Sequence, residues 1–511
     1  MKKENLIFDN FLKSVIKHPK KVAVIDGRRS FTYHELNEKA SQLACTLMKH
    51  KIRNSYIFLL GNKSYESIVS MLGVLFSGNT YVSLDINQPA SRLDSIFSTI
   101  KPKALILTGL NPRLRLELKQ MIERPMFVLD LSGDISDNTF MEAQHISIGN
   151  QSASPLSYQE ENIAYTLFTS GSTGYPKGVC ISHRAACAAL TMFQKHVEMD
   201  YLDVIANQAA LCFDLSVFDI FGSLGSGATL LLITPETTAL PDRFFQTIEE
   251  NKATSLFTTP STLDFLLKNC IYSKCNHSLR RILLSGEPIS SDLLDKIYNF
   301  LPNCVDILNL YGATETPYVL AQRVEKYANN FLNVFTLKGD GVEIKIRDTS
   351  PGKTKRNLCG ELLVKGPAIL SGYISKESKN IFSPLIEEGW YPTGDLANID
   401  PQNHITLHGR ADRQIKIKGH RVELDEIELQ LSSCSAIQDA VVIYKKETEE
   451  ITACLVLKDQ NIPEKKAIET ILAFCEKKLP SIFCPSVFKV VKSIPYTTTG
   501  KKDRKAVVNE V

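Results

Sequence analysis

This chain lacks any large excess of positive over negative charge, or the reverse. Its 511 residues carry 59 Lys+Arg against 56 Asp+Glu, a formal balance of +3. So small a surplus excludes a protein built chiefly to hold a nucleic-acid backbone or an anionic membrane surface. Long apolar runs are missing too, and none approaches the roughly 18 residues of a membrane-spanning helix. The opening stretch, MKKENLIFDNFLKSVIKHP, interrupts each apolar cluster with charge, so a secretory leader is not expected. Twelve cysteines are present, but none forms a CxxC or CxH pair. The closest pairs, Cys270/Cys275 and Cys180/Cys187, lack a second ligand pair at zinc spacing. The expectation is reduced, mostly buried thiols in a cytoplasmic protein. With 43% hydrophobic residues, the chain has enough apolar side chains for a full core.

What is present alternates. Residues 5–16 space Leu6/Ile7/Phe8, Phe11/Leu12 and Val15/Ile16 as one apolar helical face. VAVIDG (22–27) reads as a strand and turn, and a helix follows through 34–50. The short apolar runs YIFLL, ALILT, MFVLD, ATLLLI, SLFTT and RILLS then alternate with helical patterns. That predicts an α/β architecture with largely parallel sheets. Past about residue 335 the texture changes to VEIKIRD, GELLVKG and HITLHGR, alternating strands with glycine turns that predict a β-rich sub-domain. Residues 412–511 read as a small α+β domain with helices at 423–433 and 465–478, and 145–161 as a polar surface loop.

The densest chemistry lies in TSGSTGYPKGV, residues 169–179. Thr169, Ser170, Ser172 and Thr173 supply hydroxyls around Gly171 and Gly174, and Lys177 adds a point charge. Hydroxyl and exposed backbone N–H donors suit phosphate oxygens, and glycine permits close backbone approach. The Walker pattern GxxxxGK[ST] is absent, so this is a different kind of phosphate loop. Further along come FDLSVFD (213–219), NLYGATE (309–315), GELLVKG (360–366), YPTGDL (391–396), GRADRQIKIKGHRVELDEIE (409–428) and TGKKDR (499–504). FTYHEL (31–36) and SGNTYVSLD (77–85) precede the loop.

In order and over nearly the whole chain, these segments resemble the amino-acid adenylation domains of nonribosomal peptide synthesis. Those belong to the superfamily of acyl-CoA synthetases and luciferases. The resemblance implies a large adenylate-forming domain (1–411) and a small mobile C-terminal domain (412–511) hinged at Asp412. It implies ATP and Mg²⁺ as co-substrate and metal. Tyr311 is expected to stack on adenine with Gly286, Glu287 and Pro288 against the other face. Asp395 is expected to hold the ribose hydroxyls with Arg410 nearby, Thr314 the α-phosphate and Glu315 the metal. Lys501 is expected to bridge the substrate carboxylate and the α-phosphate, where in-line attack builds negative charge.

Asp214 is expected to pair with the substrate ammonium group, which marks an amino acid rather than a plain carboxylic acid. The carried-over side-chain pocket is Leu215, Phe218, Phe257, Leu283, Ser285, Leu310, Tyr318 and Val319. It is apolar with one serine hydroxyl and no charge, so charged side chains would be buried without compensation. A small or medium apolar amino acid is expected. In the second half-reaction the C-terminal domain swings, Lys501 leaves, and Lys418 and Gly419 arrive. The acyl group then passes to the phosphopantetheine thiol of a separate carrier protein, with Phe213 at the thiol tunnel. The chain ends soon after TGKKDR, which suggests a free-standing ligase similar to D-alanine–carrier protein ligases. Ala313, Thr499, Lys418 and Asp425 depart from the usual motif residues. The competing readings are a carboxylic-acid CoA ligase and a non-catalytic nucleotide-binding protein. Neither a nucleic-acid partner nor a membrane is expected.

Overall fold

The structure is a computed structural model. It describes residues 5–110, 115, 118, 126–131, 144–145, 151, 154–156, 159–171, 175–271, 278–304, 306–324, 333–348, 359–376, 378, 380–446, 448–495, 502, 504 and 506–507. Among these, a large N-terminal domain is built on two mixed sheets and a third, antiparallel one, and a smaller C-terminal domain follows.

The first sheet has a parallel centre. Val22–Asp26, Thr229–Leu232, Val204–Asn207, Ser255–Thr258, Arg281–Ser285 and Asp306–Ala313 lie side by side, with antiparallel neighbours at both edges. The second sheet repeats the plan with Ile163–Thr169, Thr80–Leu84, Tyr56–Gly61, Ala104–Thr108, Phe127–Asp130 and Gln144–His145. Lys177–Ser182 and Gly372–Ile374 close its edge antiparallel. The expected parallel sheets are thus parallel at their centres, antiparallel at both rims in the first and at one rim in the second, where Gln144–His145 ends the other side parallel. Central strands such as Ala104–Thr108 are buried along their whole length, as strands covered on both faces must be.

Helices cover the sheets with the predicted apolar faces. Tyr33–Lys49 begins with a capping box: Glu35 N–H donates to Thr32 Oγ1 (3.2 Å), and Thr32 N–H donates to Glu35 Oε2 (2.7 Å). Its buried residues Leu36, Ala40, Leu43, Ala44 and Leu47 fall at helical spacing. The first helix is Asp9–Lys17, shorter than the expected 5–16 at its start; Leu6, Ile7 and Phe8 precede it but are buried in the same core. The expected 145–161 loop begins in a short strand, Gln144–His145, and much of it lies outside the described residues.

The β-rich sub-domain is a five-stranded antiparallel sheet ordered Val334–Phe335, Ile405–Arg410, Tyr391–Ile399, Gly360–Lys365, Glu343–Arg347. Its register sets Asp395 directly opposite Arg410. In the C-terminal domain, Ile437–Lys445, Glu450–Leu457 and Val487–Val490 form a sheet packed on helices Leu424–Ser432 and Glu464–Lys478. Val422, Ile427, Leu431, Val442, Leu455 and Ile471 give it a core of its own. The hairpin Gln414–Ile417/His420–Glu423 projects from this domain toward the larger one. Eleven of the twelve cysteines are described, and all eleven are free. No helix among the described residues is long and apolar enough to cross a membrane.

Candidate active site

Parallel strands present their C-terminal ends together, and ligands of open α/β sheets lie in the crevice beyond those ends. Here two parallel sheets end at one crevice. Leu84–Asp85, Thr169–Ser170, Thr259 and Ser285–Gly286 all line a cavity of about 420 Å³. Of the expected nucleotide residues, Thr169, Ser170, Gly286, Tyr311, Thr314, Asp395 and Arg410 line it. Gly171 and Lys177 lie beside it, while Ser172, Thr173, Gly174 and Lys501 fall outside the described residues.

Around Asp395 the polar groups are tightly ordered. Tyr311 donates its hydroxyl to Asp395 Oδ2 (2.6 Å), and Arg410 Nη1 donates to Oδ1 (3.0 Å). Asp412 in turn accepts two bonds from Arg410 (2.7 and 2.6 Å), so the residue expected as hinge anchors the cation that orients Asp395. Glu287 and Pro288 are not on the cavity wall. The Glu287 carboxylate accepts from Ser261 N–H and hydroxyl and from Gly419 N–H (2.7 Å), so it ties the projecting hairpin to the large domain.

Glu315 is completely buried. Both its oxygens accept from Arg421 Nη1 (2.9 and 3.0 Å), Tyr373 donates its hydroxyl (2.8 Å), and Lys177 Nζ lies 3.4 Å away. Burial alone would push this carboxyl up, but the Arg421 and Lys177 cations hold it down at about 2. Burial lowers the Lys177 ammonium, and Glu315 opposes that fall.

Asp214 sits on the first turn of the short helix Asp214–Val217. It accepts from Thr314 Oγ1 (2.9 Å) and from Leu215 N–H (2.9 Å). It is half-buried and borders the cavity. Burial raises its pKa, against the pull of the Thr314 hydroxyl and the Lys416 cation. No cation among the described residues lies within ion-pair distance of it. Beyond it, Leu215, Phe218, Phe257, Ser285, Leu310 and Tyr318 line the cavity as expected. Leu283 and Val319 do not. Leu283 shares a strand face with Ser285 but lies two residues deeper in the apolar cluster, and Val319 is packed into the same cluster beside Tyr318. Phe193 takes a place on the wall instead. Its ring lies 4.8 Å from Phe218, 6.0 Å from Phe257 and 6.1 Å from Tyr318.

A second cavity, about 1120 Å³, opens on the far side of Phe213. Asp85, Cys212, Phe213, Asp214, Leu215, Thr259, Gly419 and His420 border both cavities. Lys418, expected at the reaction centre, is exposed at the tip of the hairpin and borders only this second cavity. It and Gly419 both have positive φ (49° and 79°), the geometry of a two-residue hairpin turn. The cation that this strand sends to the first cavity is Lys416. Strand alternation puts Ile415 and Ile417 on the C-terminal core and Gln414 and Lys416 on the cavity. Burial lowers the Lys416 ammonium, opposed by Asp395 and Asp214. Lys416, His420 and Arg421 are the site residues that reading the sequence missed. The period-two pattern of QIKIKGHR carried the signal for Lys416. A buried Glu315 needing a cation carried it for Arg421.

Residues 11–374 match the family model described as AMP-binding enzyme, and residues 426–501 match the model described as AMP-binding enzyme C-terminal domain. Bacitracin synthase 1 of Bacillus licheniformis is 29% identical over 517 residues, which cover 99% of this chain and 9% of that protein. The chain therefore spans less than a tenth of that relative. Amide bond synthetase McbA from Marinactinospora thermotolerans shares the fold with a TM-score of 0.83 at 24% identity, over 98% of this chain and 99% of that one. The Vibrio cholerae adenylation domain AlmE, solved in complex with glycyl-adenosine-5'-phosphate, shares it with a TM-score of 0.82 at 19% identity, over 100% and 98%.

Proposed function

Because the chain belongs to the AMP-binding enzyme family, with both its large and its C-terminal domain matched, we propose that it activates an amino acid as aminoacyl-AMP and passes the acyl group to a carrier-protein thiol. The observation that carries the amino-acid reading is Asp214. Its carboxylate lies on the cavity wall beside an apolar pocket, held by Thr314 and without an ion-pair partner among the described residues. A charge so placed calls for a cation, and an α-ammonium group supplies one. The aromatic rings of Phe193, Phe218, Phe257 and Tyr318 fill the space beyond it, which supports a small or medium apolar side chain.

In this reading ATP lies with its ribose on Asp395 and its α-phosphate near Thr314. The substrate carboxylate attacks the α-phosphorus, and pyrophosphate leaves. Lys501, delivered by the C-terminal domain about Asp412, neutralises the charge built in that step. The docked hairpin supports an arrangement for the second step, with Gly419 tied to Glu287 and Arg421 to Glu315. The second cavity is the route by which the phosphopantetheine arm of a separate carrier protein reaches the acyl group. Magnesium takes one or two carboxylates plus phosphate oxygens. Glu315 is the carboxylate proposed for it, but both oxygens are taken by Arg421, so the residue does not fit a metal in this arrangement of the domains.

The test is amino-acid-dependent ATP–pyrophosphate exchange over the common L-amino acids, D-alanine, β-alanine and simple carboxylic acids. Wild type runs beside Asp214→Ala and Lys501→Ala. One apolar amino acid giving strong exchange, lost in both variants, is expected. Exchange with a plain carboxylic acid that survives Asp214→Ala would move the protein to the CoA ligases, and no exchange at all would leave a nucleotide-binding protein.

A further inference from the structure

A thiol that attacks an acyl-adenylate must lose its proton, and a group at the junction of the two cavities is placed to take it. Four titratable side chains border both cavities: Asp85, Cys212, Asp214 and His420. Three are unsuited. Asp214 faces the substrate ammonium subsite and already accepts from Thr314 and Leu215. Asp85 accepts from Asn87 N–H (2.9 Å) and its side-chain amide (3.2 Å), capping its own turn. Burial pushes the Cys212 thiol up, so it stays protonated and offers no base.

His420 remains, and it is held firmly. On one side Gly419 N–H binds Glu287; on the other, Arg421 binds Glu315 through its guanidinium and accepts from Ser170 Oγ through its carbonyl (3.1 Å). The imidazole meets Phe213 edge to face, with centroids 4.8 Å apart, at the partition between the cavities. No described residue hydrogen-bonds either ring nitrogen. Burial lowers its pKa, Lys418 adds to that, and Asp85 and Glu287 oppose it, so the ring is neutral at pH 7 with a free lone pair.

We propose that His420 is the general base of the thiol-transfer step. This rests on the reading that a thiol enters through the second cavity. The imidazole takes the S–H proton as sulfur forms its bond to the acyl carbon. The bond from that carbon to the phosphate oxygen breaks, AMP leaves with its electron pair, and the proton passes from the imidazolium to water in the second cavity. The base arrives only when the hairpin docks, so deprotonation is coupled to the domain arrangement that admits the thiol.

Single-turnover thioester formation from preformed aminoacyl-adenylate tests this, with pantetheine and with trifluoroethanethiol, a much more acidic thiol that is already substantially ionised near neutral pH. For wild type and pantetheine the rate is expected to level off above neutral pH, because a neutral base is already present. For His420→Gln the pantetheine rate is expected to fall by about 10²- to 10⁴-fold and to climb with pH, while the acidic thiol largely escapes. An equal loss with both thiols would overturn the base and leave a positioning role. So would a wild-type pantetheine rate that rises tenfold per pH unit up to the thiol's own pKa, a result that needs no variant. A wild type that forms no thioester with either thiol would overturn the transfer reading itself, and the base with it.

Discussion

Glu315→Gln tests whether the C-terminal hairpin is docked by charge. The wild-type carboxylate is fully buried and receives Arg421 at 2.9 and 3.0 Å, Tyr373 at 2.8 Å and Lys177 at 3.4 Å. Burial would raise its pKa, yet the two cations bring it from 4.5 to about 2, a fall worth about 3 kcal/mol. Direct disruption of a buried pair costs about 3–5 kcal/mol, so two independent routes agree. The glutamine keeps the shape but takes from the Arg421 guanidinium its closer anion, leaving only Glu423 at 3.3 Å. Because that guanidinium rides on the hairpin and Glu315 on the large domain, Arg421's share of the loss falls on docking, up to roughly a hundredfold in its equilibrium, while the Lys177 share stays within the large domain. Gly419 N–H, bound across the same contact to Glu287 at 2.7 Å, reports it directly. Amide hydrogen exchange at 417–421 is expected to speed up by as much as about a hundredfold, while the strands of the large domain keep their protection. Since the folded pKa is depressed, the pair contributes fully above pH 4.5 and loses its contribution as pH falls toward about 2. Wild-type protection at 417–421 therefore stays level from pH 5 to 8. Unchanged protection in a folded Glu315→Gln chain would refute charge as the cause of docking.

Asp214→Asn keeps the Thr314 contact but removes the charge. It is expected to cost about 1.5–3 kcal/mol in kcat/KM for the amino acid, or 10- to 100-fold, and to leave a plain carboxylic acid little affected; equal losses would refute the ammonium contact. Phe257→Ala enlarges the side-chain pocket. The exchange rate with a longer apolar amino acid is expected to gain on the wild-type substrate by about 10- to 200-fold, and an unchanged ratio would place the side chain elsewhere. Lys63→Met removes an almost fully buried ammonium that donates to the Asn207 and Gln208 carbonyls (2.9 Å each), just before the turn that carries Phe213 and Asp214. The Asn207 carbonyl keeps Ile233 N–H (3.1 Å), but the Gln208 carbonyl loses the lysine at a cost of about 1–3 kcal/mol, so the urea midpoint is expected to fall. A midpoint within error of wild type would show that water replaces the lysine.

The parts of this protein that were legible in its sequence are those decided by local pattern. Continuous apolar runs placed the strands Ala104–Thr108 and Arg281–Ser285, which are buried along their whole length, and period 3.6 placed the helix Tyr33–Lys49, which buries one face. Collinear motifs placed Asp214, Tyr311, Thr314 and Asp395 on one cavity: Tyr311 and Thr314 lie at the end of the strand Asp306–Ala313, Asp214 on the helix Asp214–Val217, and Asp395 within the antiparallel strand Tyr391–Ile399. Depth was harder to read. Leu283 and Ser285 share a face, and only the thickness of the aromatic layer in front decides which one reaches the ligand. The hairpin was hardest, since its own alternation sets which residues share a face, but only docking onto the large domain decides that this face meets a cavity. Lys418 carries the motif position, yet the two-residue turn throws it outward, and alternation hands the inward place to Lys416. The same docking gives Glu315 its partner. A buried glutamate requires a cation, and Lys177 alone at 3.4 Å leaves its oxygens under-satisfied, so the site demands a second basic group, which Arg421 supplies. That demand also explains why the carboxylate proposed for a metal is closed here: both of its oxygens accept from Arg421.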